Sequence, residues 1–498
     1  MSKIAVIGSG FSGLSAAAYL SAGGHEVHIY EKNAEAGGRS RQFKTDEGYV
    51  FDMGPSWYWM PDVFERFFSD FGHTVSDFYK LKLLSPSFDV VFQGKETMSV
   101  PADYSNLNAL FESIEKGSSA QLEKFMSEAK FKYDTGMGKL VYKPGLSLTE
   151  FADFDLMRGA LRLQVFSSFS SHVRKYFSNP KLISLMEFPV LFLGAMPKDT
   201  PALYSLMNYA GLMMGTWYPE GGFGKVIQSI IQIAKIHGTT LHFNSTVEKI
   251  IIKKDQVTAI SVGGTVVDFD AVVASADYHH VEDKLLPESY RNYPDSYWEK
   301  KIFAPSCLIY YLGLTKKIKH LNHHTLFFEE DLDQHSKEIY KDPKWPEKPL
   351  FYVCCTSKSD NSVAPEGHEN LFLLMPIAPG LQDTESLREK YFKIMVNRLE
   401  KRVGEEIHEF INFKRSYCVN DFIVDYNSYK GNAYGLANTL MQTAILKPSI
   451  RNKKIRNLFY TGQLTVPGPG VPPAIISGKI VAEQLMKHLN KKVHENSI

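Results

Sequence analysis

The first 31 residues alternate between short apolar runs and turns of small residues. KIAVIG, residues 3–8, is a β-branched run typical of a buried parallel strand, and HEVHIYE, residues 25–31, has the same character. Residues 12–22 between them are rich in alanine and leucine, which favour a helix. The pattern therefore predicts a strand–helix–strand unit.

The rest of the chain mixes both kinds of pattern. Residues 241–277 alternate like a series of short strands, residues 455–463 form another, and residues 473–489 form an amphipathic helix with proline in its first turn. Between these parts lie a block with helical spacing, residues 105–215, and a block with strand-like runs, residues 286–450. We therefore predict an α/β fold.

Composition excludes several classes of protein. A hydrophobic fraction of 44% and an aromatic fraction of 13% indicate a globular chain. The formal net charge of +1 argues against nucleic acid as a partner. Four cysteines in 498 residues argue against a disulfide scaffold and for a reducing compartment. No cysteine or histidine cluster has metal-ligand spacing, the doublets His279-His280 and His323-His324 included, so we predict no metal.

The hydropathy pattern also bears on location. The longest nearly apolar run, residues 182–196, has fifteen residues and contains Glu187 and Pro189, so it is too short to span a bilayer. The N-terminal run could pass for a signal peptide, but a strand, a glycine turn and a helix explain it better. We expect a cytoplasmic protein without a signal peptide or a transmembrane helix.

A dinucleotide fingerprint lies in the first predicted unit. Gly8, Gly10 and Gly13 directly follow the first strand, and Glu31 ends the second one. Gly8 permits a tight turn, Gly10 lets the backbone approach a pyrophosphate, and Gly13 permits close packing of helix on strand. The helix N-terminus supplies free N–H groups for the phosphates, and Glu31 can accept hydrogen bonds from a ribose diol. We expect Phe11 and Ser12, at this helix start, to contact the cofactor.

The continuation resembles the flavin amine oxidase superfamily. Gly37-Gly38-Arg39 is similar to the second half of its FAD motif, and further segments follow in the superfamily's order: FDMGPSWYW (51–59), YPEGGFGKV (218–226), TVEKI (246–250), ASAD (274–277) and GQLTVPGPGVPPAIISGKIVA (462–482). The resemblance implies FAD as cofactor. It also implies further cofactor-binding residues: Lys32, Gly38, Arg39, Gly54, Pro55, Ser56, Val247, Gly462, Gln463, Val471, Pro472 and Ile475.

Within that superfamily, the chain resembles the bacterial-type carotenoid and phytoene desaturases over roughly residues 3–485. The similar segments include PGPGVP, Ser477-Gly478, APSCLIYYLGL, HHTLFFEEDL and PLFYVCCTSKSD. The family implies a Rossmann-like FAD-binding domain of the amine-oxidase type, interleaved with a mixed-sheet substrate domain and a helical, membrane-facing lobe. The corresponding boundaries are 1–75, 216–285 and 451–490 for the FAD-binding domain, 76–104 and 286–450 for the substrate domain, and 105–215 for the lobe.

The family also implies a reaction. A carotenoid desaturase removes two hydrogens from adjacent carbons of a long apolar substrate, phytoene or a later intermediate, so we expect peripheral attachment to the inner membrane and a quinone or oxygen as electron acceptor. Trp57 and Tyr58 are candidates for the channel wall beside the flavin. Glu366 and His368 are candidate proton acceptors, with a purely structural role in their loop as the alternative.

The favoured function is stepwise desaturation of phytoene towards neurosporene or lycopene. Departures such as Gln463 and Lys447-Pro448 leave the FAD prediction intact but bear on which carotenoid is used. Four alternatives stay open: a late-pathway 3,4-desaturase of hydroxylated or cyclised carotenoids, a carotenoid cis–trans isomerase, a polar amine oxidase, and an FAD-binding carotenoid carrier without turnover.

Overall fold

The computed structural model describes residues 1–147, 150 and 163–495. Part of the predicted helical lobe, residues 148–149 and 151–162, therefore lies outside the described residues. The α-helices of the described part are α1 (Phe11–Ala22), α2 (Pro61–Ser69), α3 (Tyr104–Ile114), α4 (Ser118–Thr135), α5 (Phe169–Val173), α6 (Pro180–Glu187), α7 (Leu206–Asn208), α8 (Phe223–Ile236), α9 (Tyr278–His280), α10 (Asp295–Glu299), α11 (Leu332–Tyr340), α12 (Glu385–Val403), α13 (Val419–Tyr426) and α14 (Val471–Glu495).

The strands are distributed over a parallel sheet, a large mixed sheet and three small antiparallel sheets. Their bounds are β1 (Lys3–Ile7), β2 (Glu26–Tyr30), β3 (Gln42–Lys44), β4 (Val50–Asp52), β5 (Leu81–Leu83), β6 (Phe88–Val91), β7 (Thr97–Val100), β8 (Trp217–Pro219), β9 (Thr240–His242), β10 (Val247–Lys253), β11 (Gln256–Val262), β12 (Thr265–Asp268), β13 (Ala271–Ala274), β14 (Ser306–Leu314), β15 (His324–Phe327), β16 (Phe351–Cys354), β17 (Glu369–Ile377), β18 (Ile411–Tyr417) and β19 (Leu458–Tyr460).

The parallel sheet has the order β19-β13-β1-β2-β9. Every neighbouring pair in it is parallel, and β1 lies at the centre with Ile4, Ala5 and Val6 fully buried. Such apolar strands are expected where helices cover both faces of a sheet. The predicted strand–helix–strand unit is confirmed, and the sheet draws its strands from three distant parts of the chain. The division into three domains stays a prediction.

The large sheet has the order β18-β14-β17-β16-β15-β6-β7. It is mixed, because β15 and β6 pair in parallel whereas all the other neighbouring strands of the sheet pair antiparallel. Side chains alternate between its two faces, as the two-residue period of a strand requires. Leu308 and Tyr310 of β14 pack in a core with α12, whereas Cys307 and Ile309 face the cavity described below.

Helices α1 and α14 cross at small residues. The Ser15 hydroxyl donates to the Ile475 carbonyl at 2.7 Å, and a Cβ at Gly478 would lie 2.5 Å from the carbonyl oxygen of Ser12. Glycine is therefore required at 478, and the close crossing brings both helix N-termini to one place. Among the described residues, none of the helices combines the length and the hydropathy that a bilayer-spanning segment needs.

Candidate active site

The glycine turn between β1 and α1 forms one end of a large cavity. Gly8 has φ +96°, and a Cβ at Gly13 would lie 2.1 Å from the Gly8 carbonyl oxygen. Gly10 differs, because it has φ −70° and a Cβ there would meet no atom within 4 Å. Gly13 is therefore required by packing, whereas the space beside Gly10 is open to a ligand at the helix N-terminus.

Glu31 lies at the end of β2 in the same cavity. Its carboxylate accepts hydrogen bonds from the Ser9 amide at 3.0 Å and the Ser9 hydroxyl at 2.6 Å, and from the Asn33 amide at 2.9 Å. The side chain is only 6% exposed. The Asn33 side-chain amide is a fourth donor at 3.0 Å, so donors from both flanking loops fill the acceptor sites of the carboxylate and hold it in place. A ribose diol at Glu31 would replace one of these donors.

Arg39 is a half-buried cation whose hydrogen-bond donors the protein satisfies only in part. Its Nη2 donates to the Ser428 hydroxyl at 3.1 Å and the Asn432 carbonyl at 3.3 Å, and its guanidinium lies 5.0 Å from the centre of the Tyr426 ring. Its Nε has no hydrogen-bond partner among the described residues. Burial lowers the pKa of Arg39 because the charged form is desolvated. The charge of Asp277 acts against this shift. A phosphate at this point would supply the missing acceptor for Nε.

The C-terminal turn, residues 461–470, closes the cavity from the other side. Gly462 has φ +114°, and its amide donates to the Ser477 hydroxyl at 3.1 Å. When the Gln463 amide is oriented so that its nitrogen donates to the Ala433 carbonyl at 3.3 Å, its side-chain oxygen accepts from Arg39 Nη2 at 3.0 Å. The turn leads into α14, whose first residues, Val471 and Pro472, line the cavity. Two helix N-termini, of α1 and α14, therefore face one space and make it favourable for anionic groups.

The far part of the cavity is apolar. The whole space has a volume of about 420 Å³. Its apolar lining comes from the segment after β4, from the mixed sheet and from α7: Met53, Trp57, Trp59, Met60, Met207, Cys307, Ile309, Tyr352 and Leu374. A polar end next to an apolar end is the arrangement that a dinucleotide cofactor and a hydrocarbon substrate together require.

The structure brings most of the predicted cofactor residues into this cavity. All of them line it except Gly13 and Ile475, which pack behind the wall. Trp57 also lines it, whereas Tyr58 is fully buried, stacks on Phe64 and shares a 2.8 Å hydrogen bond with the Tyr79 hydroxyl. Their roles stay predictions.

Glu366 and His368 lie elsewhere. Glu366 is exposed, and His368 Nδ1 lies 2.8 Å from the Tyr49 hydroxyl. Neither lines the cavity. Their proposed part in proton transfer stays a prediction, and the contact with Tyr49 is what a structural role in the loop requires.

Sequence reasoning missed the residues that later strands contribute. Cys307 and Ile309 are separated by two positions in β14, so the alternation of that run was a usable signal for a shared face. Ser9, Asn33 and Tyr426 gave no signal, because their role depends on which loops meet.

Comparisons with known proteins agree with this site. Residues 11–486 match the family model of flavin-containing amine oxidoreductases. The chain is also similar to a solved structure of wild-type putrescine oxidase bound to putrescine, with a TM-score of 0.63 and 12% identity, over 98% of this chain and 99% of that one. The chain belongs to the flavin-containing amine oxidoreductase family. Its cofactor is FAD, which the open side of Gly10 and the unsatisfied Arg39 fit.

Relatives of known activity indicate more closely which class of enzyme this is. The chain is 40% identical to a carotenoid 3,4-desaturase of Haloarcula japonica over 98% of both chains. It is 31% identical to a 4,4'-diapophytoene desaturase of Staphylococcus haemolyticus over 98% of this chain and 99% of the relative. Within the family it is therefore an FAD-dependent oxidoreductase of the carotenoid desaturase type, which acts on CH–CH groups.

We predict that Gly10→Ala leaves the fold intact but weakens FAD binding by at least about tenfold, since the new Cβ occupies the approach path of the pyrophosphate. FAD titration and thermal unfolding of the FAD-free protein measure the two effects. Gly13→Ala is the contrasting variant, because its Cβ strikes the Gly8 carbonyl and lowers the melting temperature of the FAD-free protein. Equal FAD affinity in Gly10→Ala and wild type would contradict this assignment.

A buried lysine lies behind the C-terminal turn. Lys447 is 4% exposed, its Nζ has no hydrogen-bond partner within the described ranges, and a Cβ at Gly468 would lie 3.3 Å from that Nζ. Burial, with a smaller contribution from Lys301, lowers the pKa of Lys447 to about 7. The unfolded chain binds this proton up to an ordinary pKa of about 10.4, so above pH 7 the unfolded state binds more protons than the folded state.

We therefore expect the free energy of unfolding to gain about 1.4 kcal/mol per pH unit from this group above pH 7, up to its unfolded pKa. Lys447→Met removes this pH-dependent contribution to the free energy of unfolding. The variant is more stable than wild type at pH 7, and the difference shrinks as the pH rises towards 9.5. Urea unfolding at several pH values measures it, and a difference independent of pH would refute the prediction.

Proposed function

We propose that this enzyme desaturates the C3–C4 bond of a late, already conjugated carotenoid. The supporting observation is the similarity itself, 40% to the carotenoid 3,4-desaturase against 31% to the diapophytoene desaturase, with nearly full coverage in both. The second candidate is stepwise desaturation of phytoene, which the diapophytoene desaturases favour because their named substrate is an acyclic, phytoene-like chain.

The described residues fit such a reaction. FAD, when bound, accepts a hydride from a carbon next to the polyene. Trp57, Trp59 and Ile309 form apolar walls that exclude water from the substrate. Arg39, the Gly8–Gly13 turn and the α14 N-terminus bind the charged and polar parts of the cofactor. The protein therefore orients the cofactor and the substrate and keeps water out of the cavity.

Expression in bacteria that accumulate phytoene, lycopene or a hydroxylated lycopene derivative tests the proposal. We expect the conjugated substrates to yield a product two hydrogens lighter that absorbs at longer wavelength, and phytoene to remain unchanged. The Gly10→Ala variant is the control for FAD dependence. Consumption of phytoene with loss of two to eight hydrogens would instead support the second candidate, and an unchanged mass with altered geometry would indicate an isomerase.

We further propose that the enzyme binds a lipid surface, from which it takes its substrate and where a quinone or oxygen accepts the electrons. An exposed apolar cluster supports this: Leu146, Ile302, Leu440, Met441 and Leu446 are 39–70% exposed. The Gln442 amide bonds both the N–H and the carbonyl of Ile302, and Gly145 lies against Ala444 and Val466, so the segments adjoin. Through Val466 the cluster adjoins the turn that leads to the cavity.

We predict that the double variant Leu440→Ser, Met441→Ser binds phosphatidylcholine vesicles at least about tenfold more weakly than wild type, because two apolar side chains no longer leave water on binding. Vesicle sedimentation measures the partition. Val266→Ser, at a 58% exposed position of β12, is the matched control and leaves binding unchanged. Equal loss in both variants would contradict a specific lipid-binding surface.

A further inference from the structure

A row of polar groups starts at the apolar end of the cavity. Ser56 and Tyr352 both line the cavity, and their hydroxyl oxygens lie 2.9 Å apart. The Tyr352 hydroxyl also lies 2.6 Å from Nδ1 of His324, which is fully buried. Ser56, Tyr352 and His324 therefore form a continuous hydrogen-bonded row that runs from the cavity into the mixed sheet.

A second histidine lies between His324 and Ser359, although no hydrogen bond joins the two imidazoles in the described residues. The rings of His323 and His324 have their centres 4.4 Å apart, and the Nε2 atoms of both lack hydrogen-bond partners in the described part of the chain. His323 Nδ1 lies 2.8 Å from the hydroxyl of Ser359, which is half-buried. Neighbouring imidazoles with open nitrogens between a cavity and the surface are suited to passing a proton outward.

The surroundings keep His324 neutral at rest. Burial lowers the pKa of His324 well below its usual value and that of His323 to about 3, because both charged forms are desolvated. His324 stacks on Trp57 with ring centres 4.2 Å apart and planes within 9°. The face of an indole stabilises a cation, so an imidazolium formed at His324 would be stabilised by Trp57.

Desaturation requires such an acceptor. Loss of a hydride leaves the carotenoid as a delocalised cation, and a C–H bond next to such a cation is strongly acidic. Even a weakly basic imidazole therefore suffices, and its low basicity leaves it free of solvent protons at rest. The other side chains of the apolar lining are mainly hydrocarbon, aromatic or thioether groups, which are poor proton acceptors.

We propose that Tyr352 and His324 remove the proton that leaves the substrate, an inference that rests on the proposed desaturation. The C–H bond beside the carbon that lost its hydride breaks, and its electron pair becomes the new C=C bond. The proton passes to the Tyr352 oxygen while the Tyr352 proton passes to His324 Nδ1. A ring movement that brings the open Nε2 atoms of His324 and His323 together then passes the proton to His323, and it leaves for solvent past Ser359. Both electrons of the oxidation leave with the hydride.

A metal ion is the competing occupant of this region. Ligand atoms of His323, His324 and Cys354 lie within 4.8 Å of one another, and His324 and Cys354 are cross-strand neighbours. Burial raises the pKa of Cys354 to about 12, so the group is a thiol in the metal-free protein. The hydrogen-bonded row also explains the positions of Tyr352 and Ser56, which a metal bound to His323, His324 and Cys354 would leave unexplained.

The test compares Tyr352→Phe and His324→Phe, which keep an aromatic ring but remove the oxygen or nitrogen. Tyr310→Phe is the matched control, because its buried hydroxyl lies on the other face of the same sheet and lacks a partner within the described part. Single-turnover desaturation is measured with substrate deuterated at the carbon that loses the proton. We expect a fall of about 100-fold or more and a new isotope effect in both row variants, and neither change in Tyr310→Phe.

Proton NMR of the FAD-free protein gives a readout independent of turnover. The short Tyr352–His324 hydrogen bond should give a far-downfield resonance that both row variants lose and Tyr310→Phe keeps. Wild-type rates without an isotope effect in the row variants would overturn this inference alone. One equivalent of zinc or copper in the purified wild type, lost in Cys354→Ser, would also overturn it. Failure of wild type to convert any carotenoid would refute the proposed function and this inference together.

Discussion

The site depends on how closely the glycine turn allows β1, α1 and α14 to approach each other. A side chain at Gly13 would strike the Gly8 carbonyl, and one at Gly478 would strike the Ser12 carbonyl. Because both positions are glycine, the N-termini of α1 and α14 open on the same space. Glu31, Arg39 and the C-terminal turn are then close enough to surround one dinucleotide.

That geometry divides the cavity into two chemical environments. The end beside Gly10 and Arg39 has helix N-termini and a half-buried cation, which favour phosphates. The end beside Trp57 and Ile309 is walled by aromatic and aliphatic side chains of the mixed sheet and of the segment after β4. The polar row through Tyr352 is the exception at this end, and a reaction that releases a proton into a dry cavity explains its presence there.

Much of this could be predicted from local pattern. The strand–helix–strand unit, the glycine spacing and Glu31 lie within 31 residues, so their geometry follows from short-range rules. The second half of the cofactor site, around Gly38 and Gly462, was predictable through family resemblance. The pairing of His324 with Tyr352 was not, because it depends on the antiparallel register of β15 and β16, which no local pattern encodes. For the same reason, the histidine doublet gave no indication of its neighbours.

We expect one continuous cavity to hold FAD at the α1 turn and the reacting carotenoid beside Trp57 and Tyr352. An experimental structure of the FAD-loaded enzyme with a non-reactive carotenoid analogue tests it most directly. The pyrophosphate should lie on the amide side of Gly10 near Arg39, and the reacting bond of the analogue should lie between the flavin ring and the Tyr352 hydroxyl. A flavin ring turned away from Trp57, or an analogue bound outside this cavity, would contradict it.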